Sequence, residues 1–215
     1  MKSYDLMVII GRLQPIHNGH QELILDALSR AQNVLILLGS ANESRTFRNP
    51  FTFHERKELI ELNFPSYLDR LIVRPLDDHP DDNDWLDEVQ SHIRNVCLIN
   101  KLSSFAFIVC DKDLHTLKNN NQIRNLPYPV YKHIPIYTYH ATNLRAALFE
   151  NARPSDLVSI SKSTKSYLER KWSSIRNSVL LENNNPKQTD KTIKLKWYHK
   201  KPFIIFVNIF KRIFY

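Results

Sequence analysis

The fold is decided near the start of the chain by YDLMVIIGRLQPIHNGH, residues 4–20. Tyr4 to Ile10 form a short apolar run that ends at Gly11, which is typical of a buried parallel strand. After Gly19 the apolar residues recur at helical spacing, at Leu23, Ile24, Ala27, Leu28 and Ala31. A strand, a glycine-containing loop and a helix in this order predict a βα unit, and the backbone N–H groups at the start of that helix are suited to receive an anion.

Glycine is scarce in this chain. Its 215 residues include three glycines, Gly11, Gly19 and Gly39, against a usual share of roughly 7%. Gly39 ends a second apolar run, residues 34–38, and opens a polar segment. Because glycine accepts a positive φ and lets backbone approach a ligand closely, we interpret the segments that follow Gly11 and Gly39 as phosphate-binding loops.

Strands and helices alternate along the rest of the chain. We predict strands at 70–74 and 105–109, extended chain at 131–139, and helices at 53–64, 85–99, 142–151 and 164–177. Pro135 places the extended segment at a sheet edge or a bulge. The alternation predicts an α/β fold with a doubly wound parallel sheet, whose ligands bind beyond the carboxyl ends of the strands. Asp77-Asp78 and residues 111–113 also follow strand ends, so we expect them at that edge with the glycine segments.

The overall charge favours an anionic partner. A net charge of +8 and an isoelectric point near 9.4 suit a nucleotide, a nucleic acid or an anionic membrane. A nucleic-acid-binding module is disfavoured, because the main part of the chain lacks a face of interleaved basic and aromatic residues. The sequence has neither a signal peptide nor the roughly 18–20 apolar residues of a membrane span, so we expect a cytoplasmic protein with Cys97 and Cys110 reduced.

Composition changes near Asn177. We therefore predict a main domain over residues 1–176 and, over residues 177–215, a polar linker followed by a basic aromatic tail. The apolar end of the tail, Phe203 to Tyr215, would span about 20 Å as a helix, too short for a bilayer of about 30 Å. We expect the tail to pack on the domain or to make weak contact with an anionic membrane surface.

His17 and His20 stand between the first strand and the first helix. Two imidazoles beside a helix N-terminus can donate hydrogen bonds to phosphate oxygens, and Gly19 between them keeps the path to the backbone clear. The alternative interpretation is a polar loop with incidental histidines. The spacing is neither that of a P-loop, which requires Gly-Lys-Ser/Thr, nor that of a dinucleotide-binding G-x-G-x-x-G segment.

Four segments together resemble a known family. They are Gly11 to His20, Gly39 to Arg56, Pro75 to Trp85, and Ala141 to Arg145. They occur in the order found in the nucleotidylyltransferase superfamily and look most like the nicotinamide mononucleotide adenylyltransferases of archaeal type. That group includes the adenylyltransferase half of bifunctional bacterial proteins that carry a Nudix domain. The resemblance covers about residues 4–175.

The resemblance implies a Rossmann-like fold and an activity: transfer of the adenylyl group of ATP to nicotinamide mononucleotide, giving NAD and pyrophosphate. His17 and His20 would hold the ATP phosphates, with His20 nearest the α-phosphorus. Arg12 and Arg145 would bind the polyphosphate, and Thr142 would cap the helix that presents Arg145. The attacking phosphate is already an anion, so no general base is required.

Further contacts are implied by the same resemblance. Positions expected to bind the two nucleotides are Gly11, Gln14, Gly19, Gly39, Ser40, Arg48, Asp78, Trp85 and Thr142. Arg48 would contact phosphate, although a solvated basic face is the alternative. Trp85 would lie against the nicotinamide ring with Asp78 beside it, although a core tryptophan is the alternative. Mg²⁺ would be carried by the ATP phosphates, so we predict no dedicated protein metal site.

The sequence departs from the family pattern in two places and leaves alternatives open. Val109-Cys110 stands where the family usually has glycine, and His140-Ala141 replaces small or hydroxyl residues. No Nudix box is present, so we predict no hydrolase activity. The acceptor could instead be nicotinate mononucleotide or phosphopantetheine. A non-catalytic nucleotide sensor is a further alternative, disfavoured because both histidines and Arg145 are retained. The oligomeric state is not predicted.

Overall fold

The computed structural model describes residues 3–110, 128–136 and 139–183. Five parallel strands form one sheet: β1 Tyr4–Gly11, β2 Ala31–Leu38, β3 Leu71–Pro75, β4 Phe105–Cys110 and β5 Val130–His133. The α-helices are α1 Asn18–Arg30, α2 Phe53–Asn63, α3 Asp82–Asn100, α4 Ala141–Phe149 and α5 Lys162–Asn183. Single turns of 3₁₀-helix occur at Pro65–Tyr67 and Pro154–Asp156.

The strand order is β3-β2-β1-β4-β5, so the direction of winding reverses at β1. On one side β1 pairs with β2, in a register that runs from Tyr4 opposite Ala31 to Gly11 opposite Leu38. On its other side β1 pairs with β4. In open sheets of this kind the ligand crevice lies beyond the carboxyl ends of the strands at the reversal. The predicted doubly wound parallel sheet is therefore confirmed, and its reversal point lies beside the loop that follows Gly11.

Both faces of the sheet are covered by helices, which explains why the strands are continuous apolar runs. Met7 and Ile9 of β1 belong to a cluster that contains buried residues of α1, α2 and α5. Leu6 and Val8 of the same strand belong to a second cluster with α3. Successive side chains of a strand point to opposite faces, so each face of β1 packs against a different layer of helices.

Several boundaries differ from those predicted. Helix α3 begins at Asp82 rather than at residue 85, because Asp81 caps it by accepting a hydrogen bond of 2.6 Å from the Asn83 N–H. Helix α5 runs to Asn183 instead of ending at Asn177, and Val179 within that added stretch is fully buried. The start of the predicted linker, residues 177–183, is therefore helical.

The predicted extended segment, residues 131–139, is a strand only up to His133. It lies at the edge of the described sheet, as Pro135 indicates. Residues 111–113, the rest of the linker and the basic aromatic tail lie outside the described residues. Residues up to Val179 form one compact unit, while the domain boundary at residue 176 stays a prediction. Within the described chain, no helix has the length and apolarity needed to cross a membrane.

Candidate active site

The loops that follow β1 and β2 leave the sheet side by side. The Gly39 N–H donates to the Gly11 carbonyl at 3.1 Å, which extends the pairing of the two strands by one residue. Each loop then contains a residue with a left-handed backbone: Leu13, with φ 48°, and Ser40, with φ 52°. The two predicted phosphate-binding segments are thus neighbours at the carboxyl edge of the sheet.

The positive φ expected of the glycines is not found. None of the three, all of which lie in the described part of the chain, has a positive φ. A Cβ at Gly11 would stand 3.0 Å from Leu13 Cδ1, so a side chain there would crowd the buried leucine. A Cβ at Gly39 would lie 3.8 Å from Arg12 Cγ, an ordinary contact distance. A side chain at Gly11 would therefore fit only if the Leu13 side chain shifted.

His17 and His20 are joined at the start of α1. His17 is the N-cap, and its Nδ1 accepts a long hydrogen bond of 3.4 Å from the backbone N–H of His20. Nδ1 of His20 accepts in return from the backbone N–H of His17, also at 3.4 Å. The two rings stack with centroids 3.7 Å apart and planes 17° from parallel. His17 is buried, at 2% exposure, and His20 is half-buried.

This reciprocal cap selects one tautomer for each imidazole. Since both Nδ1 atoms accept from backbone N–H groups, the proton of each neutral ring belongs on Nε2. Two Nε2–H donors thus come from adjacent rings at the positive end of α1. The first turn of that helix, all of it described, contains no acidic residue. The arrangement is suited to hydrogen bonding with an anion.

Arg12 and Arg145 both reach the loop after β1. Arg12 Nη1 lies 3.4 Å from Asn49 Oδ1, which links it to the loop after β2. Arg145 is buried, at 3% exposure, and its Nη1 donates to the Gln14 carbonyl at 2.8 Å. The structure thus brings α4 to the histidine loop as predicted. It also commits part of the Arg145 guanidinium to the protein backbone.

The predicted role of Thr142 as a helix cap is wrong. Helix α4 begins at Ala141, so His140 holds the N-cap position, and its side chain makes no capping hydrogen bond. Thr142 lies one residue inside the first turn, and its hydroxyl accepts a hydrogen bond of 3.2 Å from Arg145 Nη2. Thr142 therefore orients the Arg145 side chain directly.

The side chain of Gln14 has a positioning role in the structure. Its side chain is 1% exposed and forms two hydrogen bonds with the backbone of Phe51. Nε2 donates to the Phe51 carbonyl at 2.9 Å, and Oε1 accepts from the Phe51 N–H at 3.0 Å. The amide thus fastens the loop after β1 to the segment that leads into α2. A nucleotide contact by Gln14 stays a prediction.

The loop after β2 is held at its far end by Arg45. Its guanidinium forms two bonds of 2.7 Å with the Glu55 carboxylate, and Nη1 also donates to the Pro50 carbonyl at 2.8 Å. Burial raises the pKa of Glu55, but hydrogen bonds from Arg45 and Thr52 outweigh it and hold the pKa below its ordinary value. Thr52 and Glu55 form the capping box of α2.

Arg48 lies on the same loop and is exposed, without a hydrogen bond or ion pair to another described residue. Its guanidinium is therefore available to a ligand, and its role as a phosphate contact stays a prediction.

Asp78 and Trp85 lie beyond β3. The Asn42 side chain brackets the Asp78 peptide groups, donating to the Asp78 carbonyl and accepting from its N–H, each at 3.0 Å. Asp78 itself is exposed. Trp85 is half-buried in the first turn of α3 and packs against the second apolar cluster. The indole thus has a core contact as well as an exposed portion, and its stacking role stays a prediction.

The sequence interpretation missed Arg56. It is fully buried on α2 and donates hydrogen bonds to the carbonyls of Arg12 and Gly39, one from each loop. A signal for this role was present, because Arg56, Leu59 and Ile60 share the buried face of α2 at helical spacing. A charged residue on the apolar stripe of a helix indicates a buried polar partner.

Metal-binding side chains are sparse around the site. Across residues 3–110, 128–136 and 139–183, no group of three or more His, Cys, Asp or Glu side chains could share a metal ion. Apart from Asp77 and Asp78, which follow β3, the groups at the carboxyl edge are mainly imidazoles, guanidinium groups and peptide N–H groups. Such groups bind anions, so a divalent cation fits this site only in company with a polyphosphate.

Comparison with known proteins agrees with this geometry. Residues 8–147 match the cytidylyltransferase-like family. The nicotinamide/nicotinic acid mononucleotide adenylyltransferase of Acinetobacter baylyi is 34% identical over 97 residues, which are 45% of this chain and 52% of that protein. The nicotinamide-nucleotide adenylyltransferase of Aeropyrum pernix is 37% identical over 83 residues, 37% of this chain and 48% of that protein. The matches thus span about half the length of these curated relatives.

A solved structure shows the same fold. It is a bifunctional NMN adenylyltransferase/ADP ribose pyrophosphatase from Francisella tularensis, complexed with AMP and a manganese ion. The two structures superpose with a TM-score of 0.67 and are 24% identical in sequence. The superposition covers 84% of this chain and 53% of the Francisella tularensis chain. The chain is therefore a member of the cytidylyltransferase-like family, a nucleotidyltransferase related to the nicotinamide and nicotinic acid mononucleotide adenylyltransferases.

Proposed function

We propose that this protein transfers the adenylyl group of ATP to nicotinamide mononucleotide, forming NAD and pyrophosphate. The observation that carries the proposal is the stacked pair of His17 and His20 at the start of α1. The two imidazoles, the helix N-terminus and the loop backbone all follow the end of β1. The names of the relatives, which are adenylyltransferases for pyridine mononucleotides, support this choice of acceptor.

The reaction is a displacement at the α-phosphorus of ATP. A phosphate oxygen of the mononucleotide forms the new P–O bond, the bond to the bridging oxygen of the β-phosphate breaks, and the electron pair leaves on pyrophosphate. The nucleophile is an anion at neutral pH, so no proton has to be removed from it. Catalysis then consists of alignment and of neutralising charge on the phosphoryl oxygens.

The residues divide this work by position. His20, half-buried at the third position of α1, donates from Nε2 to oxygens on the α-phosphorus as charge develops there. His17, buried behind it, fixes the His20 ring by stacking and contributes a second donor. Arg12 and Arg48 neutralise the polyphosphate from the two loops. Arg145, oriented by Thr142 and bonded to the Gln14 carbonyl, adds a third positive charge beside the loop after β1.

Mg²⁺ would enter with ATP. An ion carried by the phosphates requires no carboxylate cage and partly neutralises the leaving pyrophosphate. The described residues of the site offer anion-binding groups, which is consistent with such a shared ion. The AMP and manganese ion of the Francisella tularensis structure are in keeping with a divalent cation used together with a nucleotide.

The acceptor pocket would lie beyond β3. Asn42 fixes the Asp78 backbone, and the exposed portion of Trp85 would stack on the pyridine ring. Stacking does not distinguish a carboxamide from a carboxylate on that ring. Nicotinate mononucleotide is therefore the alternative acceptor, in line with the dual name of the Acinetobacter baylyi relative.

A panel of acceptors tests the proposal. Purified full-length protein is incubated with ATP, Mg²⁺ and, in separate reactions, nicotinamide mononucleotide, nicotinate mononucleotide or phosphopantetheine. Pyrophosphate release is followed, and the dinucleotide product is identified by mass spectrometry. We expect release with a pyridine mononucleotide and formation of NAD. Pyrophosphate release with phosphopantetheine alone would show that phosphopantetheine is the acceptor. ATP binding without pyrophosphate release in any reaction would favour a nucleotide sensor.

A further inference from the structure

Arg56 is a fully buried arginine whose hydrogen-bond partners are all backbone carbonyls. Nη1 donates to the carbonyls of Arg12 at 2.9 Å and Gly39 at 2.7 Å. Nη2 donates to the Ser40 carbonyl at 3.3 Å, and Nε donates to the Thr52 carbonyl at 3.3 Å. One guanidinium therefore joins the ends of β1 and β2 to the start of its own helix.

The two loops meet this guanidinium in equivalent ways. Gly11 pairs with Leu38, so Arg12 and Gly39 each stand one residue beyond the last pair of the two strands. Both of their carbonyls accept from the same Nη1 atom. The residue after each carbonyl has a left-handed backbone, which is uncommon for leucine and serine. Nη1 of Arg56 thus holds the peptide group that precedes each left-handed turn.

The charge of Arg56 has no carboxylate against it among the described residues. Burial lowers the pKa of Arg56 to about 10, with the nearby charge of Arg12 acting in the same direction and Asp78 acting against it. The guanidinium therefore remains a cation at neutral pH, solvated by four carbonyl oxygens. A buried cation at this position favours negative charge at the adjoining loops.

We propose that Arg56 is a positioning residue for the nucleotide phosphates. It sets the spacing of the left-handed turns after β1 and β2, and it places a permanent positive charge behind both loops. This inference rests on the proposed function, because it takes the phosphates to lie at those loops. Lysine cannot replace it fully, since a single ammonium cannot reproduce the planar fork that spans three chain segments.

Arg45 provides a matched control. It also joins the loop after β2 to α2, and its guanidinium is bidentate on Glu55. Its bonds to Pro50 and Glu55 join two parts of one segment, whereas the bonds of Arg56 reach the carbonyls that follow both β1 and β2. Arg45→Lys should therefore lower the thermal midpoint while weakening ATP binding less than Arg56→Lys does.

The first experiment compares Arg56→Lys, Arg56→Gln and Arg45→Lys in the full chain. ATP and tripolyphosphate dissociation constants are measured by calorimetry, kcat and KM by pyrophosphate release, and folding by circular dichroism. We expect Arg56→Lys to lower kcat by about 10²-fold through misplaced loops and to weaken ATP binding about tenfold. Arg56→Gln should bind tripolyphosphate more weakly than Arg56→Lys, because it also loses the charge. Folded Arg56 variants that match Arg45→Lys in affinity and kcat would overturn the inference.

A second variant tests the link to the left-handed turn. Glycine accepts the Ser40 backbone without strain, so the turn would depend less on Arg56. Adding Ser40→Gly to Arg56→Lys should recover part of the lost kcat, and the two changes should be non-additive in a double-mutant cycle. Strictly additive losses would show that Arg56 only supports the fold.

A measurement on the unaltered protein decides the question if the variants do not fold. With ¹⁵N-labelled arginine, the Nη–H signals of Arg56 should be resolved, slow to exchange and shifted by tripolyphosphate. Signals that stay unmoved at saturating tripolyphosphate would overturn the inference. An unaltered protein that binds ATP without adenylyl transfer would refute the proposed function, whereas the Arg56 comparison would still be decided by the binding constants.

Discussion

His17 and His20 cap the same helix through each other, with the Nδ1 of each ring accepting the backbone N–H of the other residue at 3.4 Å. The pair therefore combines two tasks: it caps the N-terminus of α1, and it supplies two Nε2–H donors. A substitution that removes an imidazole also removes a cap. Variants that separate these two effects give the sharpest tests of the site.

His20→Gln should lower turnover sharply while keeping the helix capped. Glutamine at the third helical position can reach back to the N-cap backbone as in a capping box, but it supplies no imidazole. We expect kcat to fall by about 10²-fold or more, with a smaller change in the ATP dissociation constant. His20→Ala should lose the same turnover and, in addition, about 1 kcal/mol of stability. His54→Ala, an exposed histidine on α2, is the control. Turnover near that of the unaltered protein in His20→Gln would contradict the assigned role.

Trp85→Ala should raise KM for the pyridine mononucleotide. The indole is half-buried against the second apolar cluster, so the same change should also lower the thermal midpoint. Trp85→Phe keeps an aromatic face and most of the packing, and should retain a KM close to that of the unaltered protein. Steady-state kinetics with ATP saturating measures both. If Trp85→Ala loses stability but keeps its KM, the core interpretation of this tryptophan is correct and the stacking interpretation is not.

Glu55 makes stability depend on acid pH. Its pKa in the folded protein lies below the ordinary value of 4.5, because hydrogen bonds from Arg45 and Thr52 outweigh the effect of burial. A lowered carboxyl pKa stabilises the fold above pH 4.5, and this stabilisation disappears as the pH falls through the folded-state pKa. Glu55→Gln should therefore lose about 1–2 kcal/mol at pH 7.

Urea unfolding between pH 7 and pH 3 measures this effect, and the gap between Glu55→Gln and the unaltered protein should narrow as the pH falls. Glu61→Gln is the control, because Glu61 forms an exposed pair with Lys57 at 3.7 Å. Exposed pairs contribute little to stability. A gap that stays constant over the whole range would show that the Arg45–Glu55 pair does not depend on ionisation.

Deletion of residues 186–215 should leave the chemistry intact. The residues of the candidate site lie between Gly11 and Arg145, and the described part of α5 ends at Asn183. We expect kcat/KM to change little, with lower solubility if the apolar tail has a partner. Vesicle co-sedimentation of the full-length protein tests the proposed weak membrane contact. A truncated protein that is folded and monodisperse but loses more than about 100-fold in kcat/KM, or over 2.7 kcal/mol of transition-state stabilisation, would place the tail in the active site.

The sheet could be predicted from the sequence because buried parallel strands leave a local signal. Leu6 to Ile10 and Val34 to Leu38 are continuous apolar runs within β1 and β2, and nearly all of these residues are buried. The position of His17 and His20 followed from the same pattern, since a loop between a strand and a helix must lie at the carboxyl edge. Local order along the chain was sufficient for these features.

The sequence was least informative where the partner of a side chain is distant in the chain. Arg145 contacts the Gln14 carbonyl 131 positions away, and Gln14 bonds to Phe51 37 positions away. Neither pairing has a local pattern, so the burial of these two side chains could not be predicted from the sequence. Thr142 is not the cap because the helix already begins at Ala141, which leaves His140 at the N-cap position. The end of α5 was missed because Val179 is fully buried although it follows the polar pair Asn177 and Ser178.

The most direct test of adenylyl transfer follows the phosphorus atoms of ATP. Full-length protein is supplied with nicotinamide mononucleotide, Mg²⁺ and ATP labelled either at the α-phosphorus or at the γ-phosphorus. The account predicts that α-label appears in NAD and γ-label in pyrophosphate, in equal amounts. Folded protein that binds ATP yet leaves both labels in ATP, with nicotinamide and with nicotinate mononucleotide, would contradict it.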